Sequence, residues 1–175
     1  ILSLWNAGHR RIAFFLPNWV QGYYSDLEGF YDFLREHDLF DSDLICNCPI
    51  EYAKVEKELR RVMKLNEAPT AAICTSDFFA MLLMKVAKNM KIRIPEQLSV
   101  MGYCGYPGGK FLKPPLSTVD FHYEDIGKKV IEVLARADQW FGKQDVAPPE
   151  VIMPHEVVIR ESAMMRRVES LFVEC

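Results

Sequence analysis

No apolar run in the 175-residue sequence approaches the roughly 20 residues that a membrane-spanning helix needs. The opening Ile1-Leu2-Ser3-Leu4-Trp5 lacks the basic-then-apolar shape of an export signal, so the sequence reads as soluble and cytoplasmic, with no membrane partner. Paired CxxC spacing is missing as well. The five cysteines, Cys46, Cys48, Cys74, Cys104 and Cys175, are an odd number, which fits reduced thiols better than a disulfide framework. In a strand, Cys46 and Cys48 would face the same side. A metal site there needs two more ligands, and nothing nearby offers them at usual spacing, so buried structural thiols are expected and no metal. None of the four histidines, His9, His37, His122 and His155, has the spacing of a zinc pair.

Long runs of like charge are absent too. A formal charge of −3 spread along the chain leaves no electrostatic footprint for nucleic acid, so DNA contact is not expected from these residues. Catalytic signatures are equally scarce: there is no G-x-S-x-G elbow, no G-x-x-x-x-G-K phosphate cradle, no G-x-G-x-x-G after the first strand and no recognisable Cys/His nucleophile pair. The expectation is therefore a protein that is not an enzyme, with no catalytic residue and no cofactor.

What the sequence does contain is hydrophobic patterning. Half of the residues are hydrophobic and 26% are charged, enough for one globular domain with a substantial core. Arg11–Leu16, between Gly8 and Pro17, is a short apolar run of the kind a strand buried on both faces requires. From Tyr23 to Glu36, apolar residues recur at Tyr23, Leu27, Phe30, Tyr31 and Leu34, a helical period. The cycle repeats with a strand at Asp43–Cys48 and a helix at Glu51–Lys64, and again with Thr70–Cys74 and Asp77–Asn89. Leu98–Tyr103 is the next strand. Strands alternating with helices of this length predict right-handed β-α-β units, that is, an α/β fold with an open parallel sheet flanked by helices. After a Gly- and Pro-rich loop, a last helix is predicted over about Tyr123–Phe141, with Ile126, Val130, Val133, Leu134, Ala137 and Phe141 on one face. Val151–Met153 and Val157–Ile159 read as extended, and residues 164–175 as a weakly patterned tail.

Open parallel sheets bind ligands beyond the carboxyl ends of their strands. After the first strand stand Asn18, Trp19 and Gln21, polar groups beside an indole, which suits a sugar or nucleoside as well as an ordinary surface loop. Ser76 and Asp77 sit where a strand hands over to a helix, as helix caps, ligand contacts or both. Asp26, one turn into its helix, either stabilises the helix dipole or faces the cleft. His122 and Tyr123 follow Val119 where the chain leaves the sheet, and the histidine is open to roles as switch, ligand contact or solvated residue.

Gly8–Phe14, Thr75-Ser76-Asp77 with Ala80, Arg93–Tyr103, Pro114–Val119 and Arg160-Glu161-Ser162, in that order, resemble five elements of the effector domain of the LacI/GalR family of bacterial transcription regulators. Gly8-His9-Arg10-Arg11-Ile12-Ala13-Phe14 is similar to the entry into that domain's second lobe. Thr75-Ser76-Asp77 with Ala80 looks like its (N/S)-D-x-x-A element, and Arg93–Tyr103 like its I-P-x-D-L-S-V-V-G-Y strand. Pro114–Val119 is similar to P-P-L-T-T-V, and Arg160-Glu161-Ser162 to the closing R-E-S. The resemblance implies a periplasmic-binding-protein-like type I lobe over residues 1–117, a crossover and helix of the first lobe over 118–149, a returning strand over 150–163 and a tail over 164–175. It implies a small-molecule effector, sugar-like or carbohydrate, held in an interlobe cleft by Trp19, Gln21, Asp26, Ser76, Asp77, Cys104 and Tyr123. A homodimer and allosteric control of DNA binding through a headpiece outside this chain complete the picture. The free cysteines and the R-E-S ending weigh against one alternative, a periplasmic-type sugar-binding protein, and the missing catalytic motifs against the other, a small α/β enzyme.

At three positions the sequence departs from the family pattern. Asp26 stands where many members hold an arginine, and Cys104 where they hold an aspartate; both contact polar edges of the ligand in relatives, which weakens the case for an ordinary sugar. Lys91 replaces a glycine common at that helix end, so either Lys91 adopts a left-handed conformation or the turn differs.

Overall fold

Five consecutive apolar residues, Ile12–Leu16, form strand β1, and all five are buried, as a strand covered on both faces requires. In the computed structural model, residues 1–18, 25–143, 146–147 and 149–163 are described, with 25–27 as backbone only. β2 (Ile45–Asn47), β3 (Ala71–Cys74) and β4 (Ser99–Met101) join β1 in one parallel sheet of order β2-β1-β3-β4. Phe14 marks the register, lying opposite Ile45 on one side and Ile73 on the other. The open parallel sheet expected from the alternation of apolar runs and helical periods is the one observed.

Strand periodicity sorts the core into two layers. Ala13, Phe15, Cys46, Ala72, Cys74 and Val100 point to the face covered by α3 (Tyr52–Val62) and α4 (Asp77–Asn89), where Val55, Leu59, Phe79 and Leu83 are fully buried. Ile12, Phe14, Leu16, Ala71, Ile73 and Met101 point to the other face, against Leu4 of α1 (Leu2–Asn6) and Phe30 and Leu34 of α2 (Ser25–Glu36). Phe14 stacks on Phe30 with ring centroids 4.1 Å apart, which fixes how α2 lies on the sheet. Cys46, Cys48 and Cys74 are buried thiols in the first of these layers. Burial pushes Cys46 up to about 12 and Cys48 up to about 11, so both stay neutral at ordinary pH.

Several boundaries differ from the sequence reading. The strand expected from Asp43 begins at Ile45, because Asp41 caps a 3-10 turn over Ser42–Leu44 by accepting the Asp43 N–H. α4 ends in a turn where Lys91 takes φ +60°, the left-handed alternative. Helix α5 (Tyr123–Leu134) stops short of the expected Phe141, and a 3-10 turn follows at Ala137–Gln139. No residue of α5 is buried: Val130 is 48% and Leu134 55% exposed. A helix is held chiefly by packing of its apolar face, and this one is only partly covered, with Ile126 and Val133 half-buried. Val151–Met153 joins no strand; the returning strand is β6 (Glu156–Val158), antiparallel to β5 (Thr118–Asp120).

One chain segment leaves the sheet beside β4 and another returns next to it. Ser117 pairs with Met101 and Asp120 with Cys104 in single parallel bridges. Ser162 ties the return to both: its hydroxyl accepts the Ser117 N–H at 2.7 Å and donates to the Val100 carbonyl at 2.6 Å. The Ser117 hydroxyl donates to the Arg160 carbonyl at 2.9 Å and lies 2.8 Å from the Arg160 N–H, and the Arg160 guanidinium reaches the Leu116 carbonyl. Buried backbone groups that no full ladder satisfies are thus satisfied by two serine side chains.

Candidate ligand cleft

At the carboxyl end of β3 the chain turns into α4. Ser76 has extended backbone angles (φ −153°, ψ 157°), and its hydroxyl accepts the Phe79 N–H at 3.2 Å, an N-cap. Asp77 follows, 2% exposed. Its Oδ1 accepts the Thr118 hydroxyl at 2.6 Å, its Oδ2 accepts the Tyr106 N–H, and its own N–H donates to the Tyr103 carbonyl at 2.8 Å. Burial raises the Asp77 carboxyl above its ordinary value, while the bonds from Thr118, Tyr106 and Tyr103 pull it back. This carboxylate locks the start of α4 to the loop after β4 and to the outgoing β5.

Two glycines make that approach possible. A Cβ on Gly102 would lie 2.0 Å from Asp77 Oδ1, and one on Gly105, at φ +73°, would lie 2.7 Å from the Asp120 Cα. Between them Cys104 carries φ +105°, a region that L residues rarely adopt, and the backbone of this short loop is held by Cys104 N–H to Val119 O at 3.0 Å and Gly105 N–H to Thr118 Oγ1 at 3.2 Å. An unfavourable conformation at a loop beyond the strand ends is a feature of sites that position a side chain.

The Cys104 thiol and the Tyr123 hydroxyl lie close enough for each to shift the other's protonation. Burial pushes the thiol above its ordinary value and, with the thiol contact, pushes the Tyr123 phenol up to about 12. Both groups are therefore neutral at pH 7, and the thiol is a soft, weakly polar surface, since nucleophilic attack requires the thiolate. Three rings line up beside them: Tyr103 and Phe121 edge to face at 4.8 Å, then Phe121 and Tyr123 edge to face at 6.1 Å. His122, at φ +53°, turns the chain into α5, its N–H bonded to Asp120 Oδ1 at 2.9 Å and its Nε2 3.9 Å from Glu156.

The structure brings Asp77, Cys104 and Tyr123 together around the outgoing strand, with Ser76 next to Asp77 at the end of β3. Trp19 and Gln21 lie outside the described residues, as does the Asp26 side chain on α2. Phe121 and Tyr103 were not singled out from the sequence as site residues; the alternation along Thr118-Val119-Asp120-Phe121, next to Tyr123, is the signal that marks Phe121. Asp77 is buried, and each of its oxygens accepts one protein donor. No group of His, Cys, Asp and Glu suited to a metal ion occurs among the described residues.

A parallel sheet covered on both faces, whose chain leaves beside β4 and returns at Arg160–Ser162 with a polar and aromatic rim at the strand ends, is the architecture of a periplasmic-binding-protein-like α/β domain. The chain belongs to the periplasmic binding protein-like domain family, which matches residues 1–163, and it is homologous to repressors of the LacI family. It is 29% identical over 161 residues to the HTH-type transcriptional repressor CytR of Escherichia coli (strain K12), covering 91% of this chain and 46% of CytR. It is 28% identical over 109 residues to the HTH-type transcriptional repressor PurR of Aliivibrio salmonicida, covering 62% of this chain and 33% of that repressor. The chain thus spans less than half the length of these relatives. A transcription regulator from Lactobacillus plantarum has the same fold, with TM-score 0.79 at 21% identity, over 94% of this chain and 62% of the other. The two matched repressors are not enzymes, in agreement with the expectation for this chain. Among the described residues no helix is long and apolar enough to cross a membrane.

Proposed function

We propose that this chain is the effector-sensing part of a cytoplasmic transcription regulator, in which a small molecule binds at the carboxyl ends of the strands, between this lobe and a second one. Residues 1–117 are the body of one lobe, 118–149 cross to the other and 150–163 return. Ligand contact falls to Cys104 and Tyr123, with Ser76 at the rim and Trp19, Gln21 and Asp26 completing the cleft from the β1 side; Asp77 holds the cleft floor in shape. The observation that carries the reading is the junction at Cys104, Asp120 and Tyr123, where a loop of positive φ meets the segment leaving the lobe. A ligand seated there touches both the lobe and the crossing strand, so it binds differently in different interlobe geometries, which is the requirement for allosteric control. In a homodimer the change reaches DNA through a headpiece outside this chain.

The test is a thermal-shift and calorimetric screen of monosaccharides, disaccharides and nucleosides on the intact protein. A ligand at 100 times its dissociation constant is expected to add about 2.7 kcal/mol of stability, and Tyr123→Ala to weaken it at least about tenfold. A bound ligand whose affinity is untouched by both Tyr123→Ala and Cys104→Ala would overturn the placement of the site.

A further inference from the structure

Three rings stand in a row where the outgoing strand leaves the lobe. Phe121 meets Tyr103 at 4.8 Å and Tyr123 at 6.1 Å, edge to face in both cases. Tyr123 is 54% exposed, and Tyr103, Phe121 and Cys104 are half-buried, so each keeps part of its surface open. Cys104 belongs to the row, since its thiol lies close to the Tyr123 hydroxyl.

The acids and hydroxyls of the same junction are turned to the protein. Asp77 and Thr118 are buried and bonded to each other, and Asp120 accepts the His122 N–H at 2.9 Å. Ser76 uses its oxygen on the cap of α4. Among the described residues of the junction, the accessible surface is therefore mainly ring, phenol and thiol.

Such a surface treats ring and hydroxyl differently. A thiol is a weak donor and a weak acceptor, so each sugar hydroxyl set against it, or against a ring edge, gives up a bond to water without regaining one. An aromatic ring loses nothing of the kind, and it packs favourably against ring edges and polarisable sulfur. Asp77 is a charge that acts on both Cys104 and Tyr123, and an acid disfavours a negatively charged ring beside them.

We propose, on the reading that the cleft lies at Cys104 and Tyr123, that its ligand is held by an uncharged aromatic ring packed against Cys104, Phe121 and Tyr123, and that the effector is an aromatic compound and not a free sugar. A nucleobase and the aryl group of a glycoside share that chemistry. Cys104 sets the selectivity. Its backbone is held at φ +105° by its N–H to Val119 O and by Gly105 N–H to Thr118 Oγ1, so a side chain substituted at 104 occupies the same place in the row.

Calorimetric titration of the intact protein pairs each aromatic probe with its ring-free sugar: adenosine and cytidine with D-ribose, phenyl β-D-glucoside with D-glucose. In at least one pair the aromatic member is expected to bind at least about tenfold more tightly than the sugar, and which pair responds separates a nucleobase from an aryl group. Phe121→Leu keeps apolar bulk without the ring and should weaken the aromatic probe about tenfold. Cys104→Asp should weaken that probe and strengthen the sugar, cutting the ratio of the two affinities at least about tenfold. Unchanged melting temperatures would show that the variants are folded, and either variant decides if the other does not fold. Absence of binding by every aromatic probe at about 5 mM overturns the ligand class, as does a sugar that binds as tightly as its aromatic partner. If that sugar loses affinity in Tyr123→Ala, the cleft itself keeps its place. An aromatic probe indifferent to both Phe121→Leu and Cys104→Asp overturns the proposal, and one indifferent to Tyr123→Ala as well overturns the placement of the cleft.

Discussion

Thr118→Val isolates the bond that joins α4 to the outgoing strand. Thr118 is 1% exposed, and valine matches its shape, so the change removes a hydroxyl without opening a cavity. The hydroxyl donates to Asp77 Oδ1 at 2.6 Å and accepts the Gly105 N–H at 3.2 Å. Loss of a bond to a charged acceptor costs about 1.5–3 kcal/mol, and the stranded Gly105 N–H adds roughly 1 kcal/mol, so a destabilisation of about 3 kcal/mol is expected at pH 7. With an m-value of about 2 kcal/mol/M, the urea midpoint falls by roughly 1.5 M at unchanged slope. The pH dependence gives a second, sharper reading. Burial raises the Asp77 carboxyl in the folded protein above its ordinary 3.8. A carboxyl raised by folding binds its proton more tightly in the folded state, so its contribution to stability is present below about 3.8 and is lost as pH rises through the folded value. The Thr118 bond opposes that loss by favouring the carboxylate. Removing it raises the folded value further, so the gap between wild type and variant should widen from about pH 4 to about pH 7. A gap under about 1 kcal/mol at pH 7, or one of equal size at both pH values, would refute this account of Asp77.

Ser162→Ala strands the buried Ser117 N–H and Val100 carbonyl, and about 2–3 kcal/mol of stability should be lost in urea unfolding. Ser76→Ala removes the cap of α4 and should cost about 1 kcal/mol, whereas Ser76→Gly should cost only a few tenths. Lys91→Gly relieves a left-handed residue and is expected to stabilise by about 1 kcal/mol, raising the melting temperature by roughly 2–4 °C in a calorimetric scan. In native protein treated with iodoacetamide and mapped by mass spectrometry, Cys46, Cys48 and Cys74 should stay unmodified until denaturant is added, since all three are buried with raised thiol values.

The sheet was legible in the sequence because its strands are buried on both faces: Ile12–Leu16 and Ala71–Cys74 are uninterrupted apolar runs, whereas the short exposed run Val151–Met153 imitates a strand and joins none. α3 was equally plain, with Val55, Leu59 and Val62 at helical spacing and charges between. α5 was read too long because its apolar period runs on to Phe141, while periodicity says which face would be buried and not whether anything lies against it. Ser76 and Asp77 stood out as residues at a strand-to-helix handover. That one would cap and the other turn inward to Thr118, 41 positions on, depends on the close approach allowed by Gly102 and Gly105, which no local pattern encodes. Phe121 escaped notice for a similar reason, since Tyr103 comes to it only where the chain after β4 runs beside β5.

The Ser162 knot sets a schedule for the chain as it is made. Val100 and Ser162 are 62 positions apart. At a synthesis rate of about 5–20 residues per second, β4 emerges about 3–12 s before its second neighbour does. For that interval the Val100 N–H and carbonyl on its outer edge stay open, although Gly102 and Cys104 are already within reach of Ser117 and Val119, and open edge groups are where nascent chains pair wrongly. The lobe therefore closes only when its returning segment arrives, and substitutions at Ser117 or Ser162 are expected to lower the yield of folded protein from the ribosome by more than their equilibrium destabilisation alone accounts for.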